Sequence, residues 1–127
     1  MQDKHLYEYA IIRVVPRVER EEFVNAGIIL FSKKSNFIKM LYVVDEKKIN
    51  SCDKDFDINQ LELNLSAFKK ISDGKSDGGP IAKMDVPSRF RWLTAVRSSV
   101  IQTSRPHPGL CEDLEKTTTR LFSELVL

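Results

Sequence analysis

Residues 7–44 read YEYAIIRVVPRVEREEFVNAGIILFSKKSNFIKMLYVV, and this stretch decides the fold. Three runs within it are dense in β-branched and aromatic residues, which are typical of β-strands. These runs cover residues 7–15, 23–32 and 37–44, and short polar segments separate them. Because only the four-residue loop 33–36 joins the second run to the third, the pattern predicts an antiparallel meander.

The three predicted strands are more apolar than strict alternation requires, so we expect helices to cover much of the sheet. Gly27 lies inside the second strand, where a glycine usually marks a bulge or a close backbone approach. In a regular strand Asn25 and Gly27 would share one face. An amide in an otherwise apolar strand needs hydrogen-bond partners, which makes Asn25 a residue of interest.

After residue 44 the apolar residues recur at helical spacing, with Asp45 and Asp57 as predicted N-caps. The predicted elements are, in chain order, helices over 45–51, 57–71 and 88–96, a strand over 99–103 and a helix over 112–126. Residues 72–80 are predicted to form a mobile loop, and residues 104–110 an irregular loop pinned by two prolines. The sequence thus predicts an α+β fold: a small antiparallel sheet of about four strands (β-β-β-α-α-α-β-α) with helices packed on it.

Length and composition restrict the class of protein. A chain of 127 residues predicts one domain over residues 1–127. Its 42% hydrophobic and 30% charged residues are typical of a globular protein rather than a disordered or membrane one. With no apolar leader at the N-terminus, we expect a cytoplasmic location. The two cysteines, Cys52 and Cys111, do not make a disulfide framework.

No complete cofactor or metal motif is present, so none is expected. The tripeptide Gly74-Lys75-Ser76 resembles the end of a phosphate-binding loop, but Lys69 stands where that motif requires glycine. His107 and Cys111 are four residues apart and would supply at most half of a zinc site.

The arginines are separated from the lysines along the chain. Seven of the eight arginines fall in two stretches, namely Arg13, Arg17, Arg20 and then Arg89, Arg91, Arg97, Arg105. No acidic residue occurs between Val86 and Cys111. Arginine presents a planar set of donors that suits carboxylate, phosphate or aromatic partners, whereas lysine is common on solvated surfaces. The two stretches are therefore the candidate functional segments.

The first candidate segment is residues 17–27, RVEREEFVNAG. Its candidate binding residues are Arg17, Arg20, Glu22 and Asn25, which would line a polar cleft beside the sheet. The alternative is structural: Arg20 pairs with a neighbouring glutamate, and Asn25 satisfies backbone groups at a bulge made by Gly27.

The second candidate segment is residues 89–107, RFRWLTAVRSSVIQTSRPH. Its candidate binding residues are Arg89, Arg91, Arg97, Ser104 and His107. Held between two prolines, the imidazole of His107 could act as an acid or base near neutral pH. The alternative is that Phe90, Trp92 and Leu93 belong to the core, with Trp92 anchoring the helix, and that the arginines form a solvated or stacked rim.

Parts of both segments resemble a known family. The residues that carry the resemblance are the pattern Arg20, Glu22, Asn25, Gly27, the run RFRWL at 89–93, and Pro106, His107, Gly109, Leu110. Together with the closing LEKTTTRLFSELV, they resemble the bacterial domain of unknown function 3037. That family often has glycine where this chain has Glu21. The resemblance implies a partner or regulator role, because members are often encoded beside a serine/threonine kinase similar to HipA.

Three functions compete at this point. The first is a non-catalytic accessory or regulatory binding module that docks an acidic or phosphorylated surface, such as that of a HipA-like kinase. The second is an enzyme acting on a phosphorylated or nucleotide substrate, with Glu22 and His107 as acid and base. The third is nucleic-acid binding, in which Phe90 and Trp92 stack on bases. The modest net charge of +2 weighs against the third.

Overall fold

The structure, a computed structural model, describes residues 4–95, 97 and 99–127. The predicted helix end at residue 96 lies outside these described residues. Five strands are present, β1 His5–Val14, β2 Val24–Ser32, β3 Phe37–Tyr42, β4 Ile101–Thr103 and β5 His107–Cys111. Four helices follow or separate them, α1 Glu46–Cys52, α2 Ile58–Asp73, α3 Val86–Leu93 and α4 Leu114–Leu125. Short 3₁₀ turns occupy Val18–Arg20 and Ile81–Lys83.

The strands form one antiparallel sheet in the order β3-β2-β1, and both β4 and β5 pair with the free edge of β1. The predicted α+β class and the predicted order of the first seven elements are confirmed. The prediction of an irregular loop over residues 104–110 is wrong, because His107–Cys111 pairs with His5–Tyr9 as a fifth strand. Two prolines and a glycine in this segment favoured the prediction of a loop. A strand at the edge of a sheet nevertheless tolerates proline.

Gly109 explains why β5 can lie against β1. It pairs with Tyr7, and a Cβ atom at this position would lie 2.5 Å from the end of the Tyr7 ring. Glycine leaves the space that the ring occupies.

A β-bulge interrupts the pairing of β1 with β2 where Gly27 lies. Ile12 pairs with Gly27 and Arg13 with Asn25, so Ala26 is the extra residue. The bulge puts Asn25 and Gly27 on opposite faces of the sheet, which corrects the expectation for a regular strand. A Cβ on Gly27 would lie 2.6 Å from the carbonyl oxygen of Leu41, so the neighbouring backbone requires glycine here.

The sheet is covered on both faces, as the apolar strands predict. The larger core lies between one face and helices α2 and α3, and its members include Ala10, Ile12, Val14, Ile29, Met40, Leu61, Leu65, Phe90 and Leu93. The smaller core lies under α4 and includes Tyr7, Ile28, Leu30, Leu114 and Leu121. Alternate residues of β1 therefore serve different cores, which fixes the register of the central strand.

Each helix begins at an aspartate. Asp45, Asp57, Asp85 and Asp113 each accept a hydrogen bond from the backbone N–H three residues later, which satisfies one free donor of the first turn. The predicted caps Asp45 and Asp57 are confirmed. Helix α3 begins two residues earlier than predicted, at Val86 after its cap Asp85.

Candidate functional site

The two arginine-bearing segments meet in one cleft at the end of the sheet where β1 stops and β2 starts. We call it the arginine cleft; its volume is about 420 Å³, and its lining residues are Arg13, Val15, Val18, Glu21, Phe23, Arg97 and Gln102. Residues from the connection between β1 and β2 form one wall. Arg97, from the segment between α3 and β4, and Gln102 of β4 form the other.

Arg13 is the penultimate residue of β1 and lines the arginine cleft. It lies opposite both Asn25 of β2 and Gln102 of β4. Its guanidinium carbon stands 4.4 Å from the centre of the Phe23 ring, a cation–π distance. The Nε atom is buried and has no hydrogen-bond partner within the described part of the chain. An unsatisfied buried donor costs about 1–3 kcal/mol, so an acceptor placed in this cleft would be stabilised.

Arg97 is held between two aromatic rings. Its guanidinium carbon lies 4.7 Å from the centre of the Trp92 ring and 5.0 Å from that of Phe68. It also donates to the carbonyl oxygens of Leu93 and Trp92 at the end of α3, where a cation favours the helix dipole. Burial lowers the pKa of the Arg97 guanidinium from its ordinary value, although an arginine remains charged at neutral pH.

Glu21 supplies the carboxylate of the arginine cleft. Its φ of 58° places it in the left-handed region after the turn Val18–Arg20, and its backbone N–H donates to the carbonyl of Val18. Glycine adopts this conformation most readily, so the backbone here is unusual for a glutamate. Among the residues that the structure describes, Glu21, Arg13 and Arg97 form no ion pair. The residues that line the cleft therefore carry two guanidinium groups and one carboxylate.

Arg17 and Arg20, two predicted binding residues, pair with local glutamates instead. Arg17 Nε lies 3.0 Å from Glu19 Oε1, and Arg20 Nε lies 2.9 Å from Glu22 Oε1. All four side chains are about half exposed or more. The structural alternative for Arg20 is thus confirmed, with Glu22 as its partner.

Asn25 pairs with Arg13 and therefore shares its face of the sheet, but it contacts α4 and does not line the arginine cleft. Its Nδ2 donates to the carbonyl oxygen of Leu125 at 3.0 Å, while its Oδ1 is buried with no partner among the described residues. The amide does satisfy a backbone group, as the structural alternative expects, but that group belongs to α4 and not to the Gly27 bulge. Asn25 lines a separate cavity with Lys48, Cys52 and Leu127.

The side chains of Arg89 and Arg91 contact different parts of the molecule although the two residues are close in sequence. Arg89 Nη1 donates to the carbonyls of Ala82 and Met84, at 3.4 and 3.3 Å, so it ties the loop before α3 to that helix. Arg91 is exposed and lines a different groove, together with Leu6 and Phe31. Neither side chain is among those that line the arginine cleft.

Ser104 joins β4 to β5. Its backbone N–H donates to the carbonyl of Ile11 at 2.9 Å, and its Oγ accepts from the Ile11 N–H at 2.9 Å. The hydroxyl thus satisfies a backbone donor at the break between the two strands, and the side chain is buried. This contact gives the predicted binding residue Ser104 a structural role.

Glu22 and His107, the candidate acid and base, are not brought together. His107 is exposed, pairs with Tyr9 and rests against the Tyr9 ring at 5.4 Å between centres. Glu22 precedes Val24, which pairs with Val14. Val14 lies five residues after Tyr9 in β1, a distance of about 17 Å. The single Arg/Glu/His pocket that the enzyme hypothesis requires is therefore not formed.

The aromatic residues of α3 are divided between core and surface. Phe90 is 2% exposed and stacks on Phe31 at 4.5 Å, so its predicted role in base stacking is wrong. Trp92 is 39% exposed, so the prediction that it anchors the helix in the core is also wrong. Leu93 and Phe90 are the anchors, and Trp92 packs beside Phe68 and Arg97.

Sequence reasoning missed Arg13, Phe23, Gln102 and Glu21 as site residues. Arg13 had a detectable signal, because it is the one charged residue in the apolar run 10–15. Phe23 and Gln102 had no such signal. Each lies in a predicted strand at a position that the hydrophobic pattern assigns neither to the core nor to the surface.

Within residues 4–95, 97 and 99–127, no group of three or more His, Cys, Asp or Glu side chains is placed to hold a metal ion. None of the helices described is long and apolar enough to cross a membrane.

Comparison with known proteins identifies the family. Neither the curated proteins nor the solved structures include a match to this chain. One family model matches residues 9–126, which is nearly the whole chain and includes both walls of the arginine cleft. The chain belongs to the family described as protein of unknown function (DUF3037).

Proposed function

We propose that this protein is a non-catalytic accessory or regulatory binding module, and that its arginine cleft receives a carboxylate or phosphate group on the surface of a partner protein. One observation carries the proposal. Arg13 and Arg97 come from segments that are about 80 residues apart in the chain, yet both line one cleft and neither is neutralised by an ion pair within the described residues.

The arrangement of the two guanidinium groups favours an anion. Each is supported by an aromatic face, Arg13 by Phe23 and Arg97 by Trp92 and Phe68. A guanidinium that is held in place loses less conformational entropy when it binds a ligand, and its planar donors match a carboxylate or phosphate. Hydrogen bonds to charged groups contribute about 1.5–3 kcal/mol each, so two such residues provide useful affinity.

The apolar surroundings favour a protein partner over a small ion. Phe23 is 49% exposed beside Arg13, and Trp92 is partly exposed beside Arg97. Arginine with tryptophan or another aromatic residue is the composition of interface hot spots. The partner implied by the family resemblance is a HipA-like serine/threonine kinase, whose phosphorylated or acidic surface would supply the anion.

Titration calorimetry with a purified HipA-like kinase from the same source, in phosphorylated and unphosphorylated forms, tests this proposal. We expect micromolar or tighter binding and about a tenfold loss for each of Arg13→Gln and Arg97→Lys. Arg17→Gln is the matched control, because Arg17 lies on the same connection but pairs with Glu19 and does not line the cleft. Its affinity should equal that of the wild type.

Two results would contradict the proposal. Absence of binding to either form of the kinase at micromolar concentration would exclude that partner. Binding that survives both cleft substitutions unchanged, with the variants folded as judged by circular dichroism, would exclude the arginine cleft as the recognition site.

A further inference from the structure

Two large apolar side chains lie exposed side by side at the other end of the sheet. Leu6 of β1 pairs directly with Leu110 of β5, and they are 60% and 62% exposed. Paired residues of antiparallel strands point to the same face, so the two side chains form one apolar patch. Pro108, which pairs with Glu8, extends the patch on that face.

This patch is the uncovered end of the larger core. Along β1 the residues of this face are Leu6 and Glu8, followed by the buried residues Ala10, Ile12 and Val14. Phe31 pairs with Glu8. It is the last side chain on this face that is covered by a helix, because its ring stacks on Phe90 of α3. Beyond Phe31 the structure places no helix over the described strands, so the sheet presents its own apolar face.

Positive side chains surround the patch. The groove is lined by Leu6, Tyr7, Glu8, Phe31, Lys33, Lys34, Arg91 and Pro108, with a volume of about 360 Å³, and we call it the basic-rimmed groove. Lys33 and Lys34 come from the loop between β2 and β3, and Arg91 comes from α3. Within the described part of the chain none of these three cations, nor Glu8, forms an ion pair. The rim thus has three positive charges and one negative charge.

We propose that the basic-rimmed groove is a second docking surface, which binds an acidic amphipathic segment of a partner protein. Apolar side chains of that segment would pack on Leu6, Leu110 and Phe31, and its carboxylates would face the cations of the rim. The charge complementarity decides the kind of occupant, because a rim of three cations and one carboxylate around an apolar floor favours a ligand that is both apolar and acidic.

Two other occupants fit less well. A second copy of this chain, related by a twofold axis at the groove, would bring two positively charged rims together, which is unfavourable. A membrane would require apolar side chains that project from a convex surface, whereas this site is concave with Phe31 at its floor.

Peptide display against the whole chain tests the proposal. With random peptides of about 12 residues as the probe, we expect enrichment of sequences that combine leucine or aromatic residues with several Asp or Glu. Leu110→Asp should weaken the selected peptides by about tenfold or more. Leu63→Asp is the matched control, because Leu63 is equally exposed at 66% but lies on α2, whereas Leu110 pairs directly with the groove residue Leu6. The double substitution Lys33→Glu with Lys34→Glu should give a similar loss and lies in a loop, so it does not depend on strand stability.

Several outcomes would overturn this proposal. One is an enriched pool without acidic residues, and another is peptide binding that Leu110→Asp and the double lysine substitution leave unchanged. Sedimentation with phosphatidylserine vesicles that Leu110→Asp abolishes would show a membrane surface instead. A dimer in analytical ultracentrifugation that Leu110→Asp dissociates would show self-association. Arg13→Gln should leave the selected peptides bound, which separates this surface from the arginine cleft.

Discussion

The arginine cleft and the basic-rimmed groove are both positively charged, and they lie at opposite ends of β1. Leu6 and Arg13 are seven residues apart on that strand, which corresponds to about 23 Å. In the cleft each guanidinium rests on an aromatic ring. In the groove the charges of Lys33, Lys34 and Arg91 are exposed around an apolar floor.

This difference follows the chemistry of the arginine and lysine side chains. A guanidinium can stack on an aromatic face and keep a fixed orientation, so the cleft presents donors in a defined geometry. A lysine amine is a flexible and strongly hydrated charge, so the rim attracts acidic segments without imposing one geometry. The cleft is suited to a single anionic group and the groove to a longer amphipathic segment.

The largest expected effect concerns the two glycines at the two ends of the sheet. Gly27→Ala should lower the free energy of unfolding by about 1–3 kcal/mol, because the new Cβ meets the Leu41 backbone carbonyl, which cannot move alone. Gly109→Ala should cost less, because the new Cβ meets only the end of the Tyr7 ring, which can tilt. Urea denaturation of both variants measures the two costs. Equal costs would mean that the strands at the groove end are as rigid as those at the cleft end.

The next effect distinguishes two arginines of α3. Arg89→Ala should lower the free energy of unfolding by about 1–2 kcal/mol, because it removes the hydrogen bonds to the carbonyls of Ala82 and Met84. Arg91→Ala should change it by less than about 0.5 kcal/mol, because that side chain is exposed on the groove rim. Thermal denaturation of the two variants is the measurement. A large cost at Arg91 would show that the rim supports the fold and is not a free surface.

The smallest effect concerns the cap of α3, the helix that carries Arg91 of the groove rim and precedes the segment of Arg97. Hydrogen bonds from Ser88 lower the pKa of Asp85 below its ordinary value of 3.8. Because the folded-state pKa is depressed, the stabilisation is present above the unfolded value and is lost as pH falls through the folded value. Asp85→Ala should therefore lower the melting temperature at pH 7, and the difference from wild type should shrink below pH 3.8.

Asp55→Ala provides the control for this pH dependence. Asp55 is exposed, and its side chain accepts no hydrogen bond from the residues that the structure describes. A difference between wild type and Asp85→Ala that stays constant with pH would mean that the carboxylate does not cap α3.

Much of the fold could be predicted because its signals are local. The β-branched runs specify the first three strands, and Asp45 and Asp57 specify where two helices begin. The strand β5 could not be predicted, because His107–Cys111 contains a proline and a glycine and is a strand only through its pairing with His5–Tyr9. Its propensity is poor, and tertiary pairing overrides it.

The candidate site was predicted at the level of segments and not of side chains. The sequence by itself determined the α+β class, the family and the two arginine-bearing segments, because composition and periodicity are properties of neighbouring residues. Only the tertiary structure decided that Arg97 joins Arg13 and Glu21 in one cleft, while Arg20 pairs with Glu22 and Arg89 binds its own loop. Which guanidinium remains available depends on the partners that distant segments bring to it, and no local pattern encodes that.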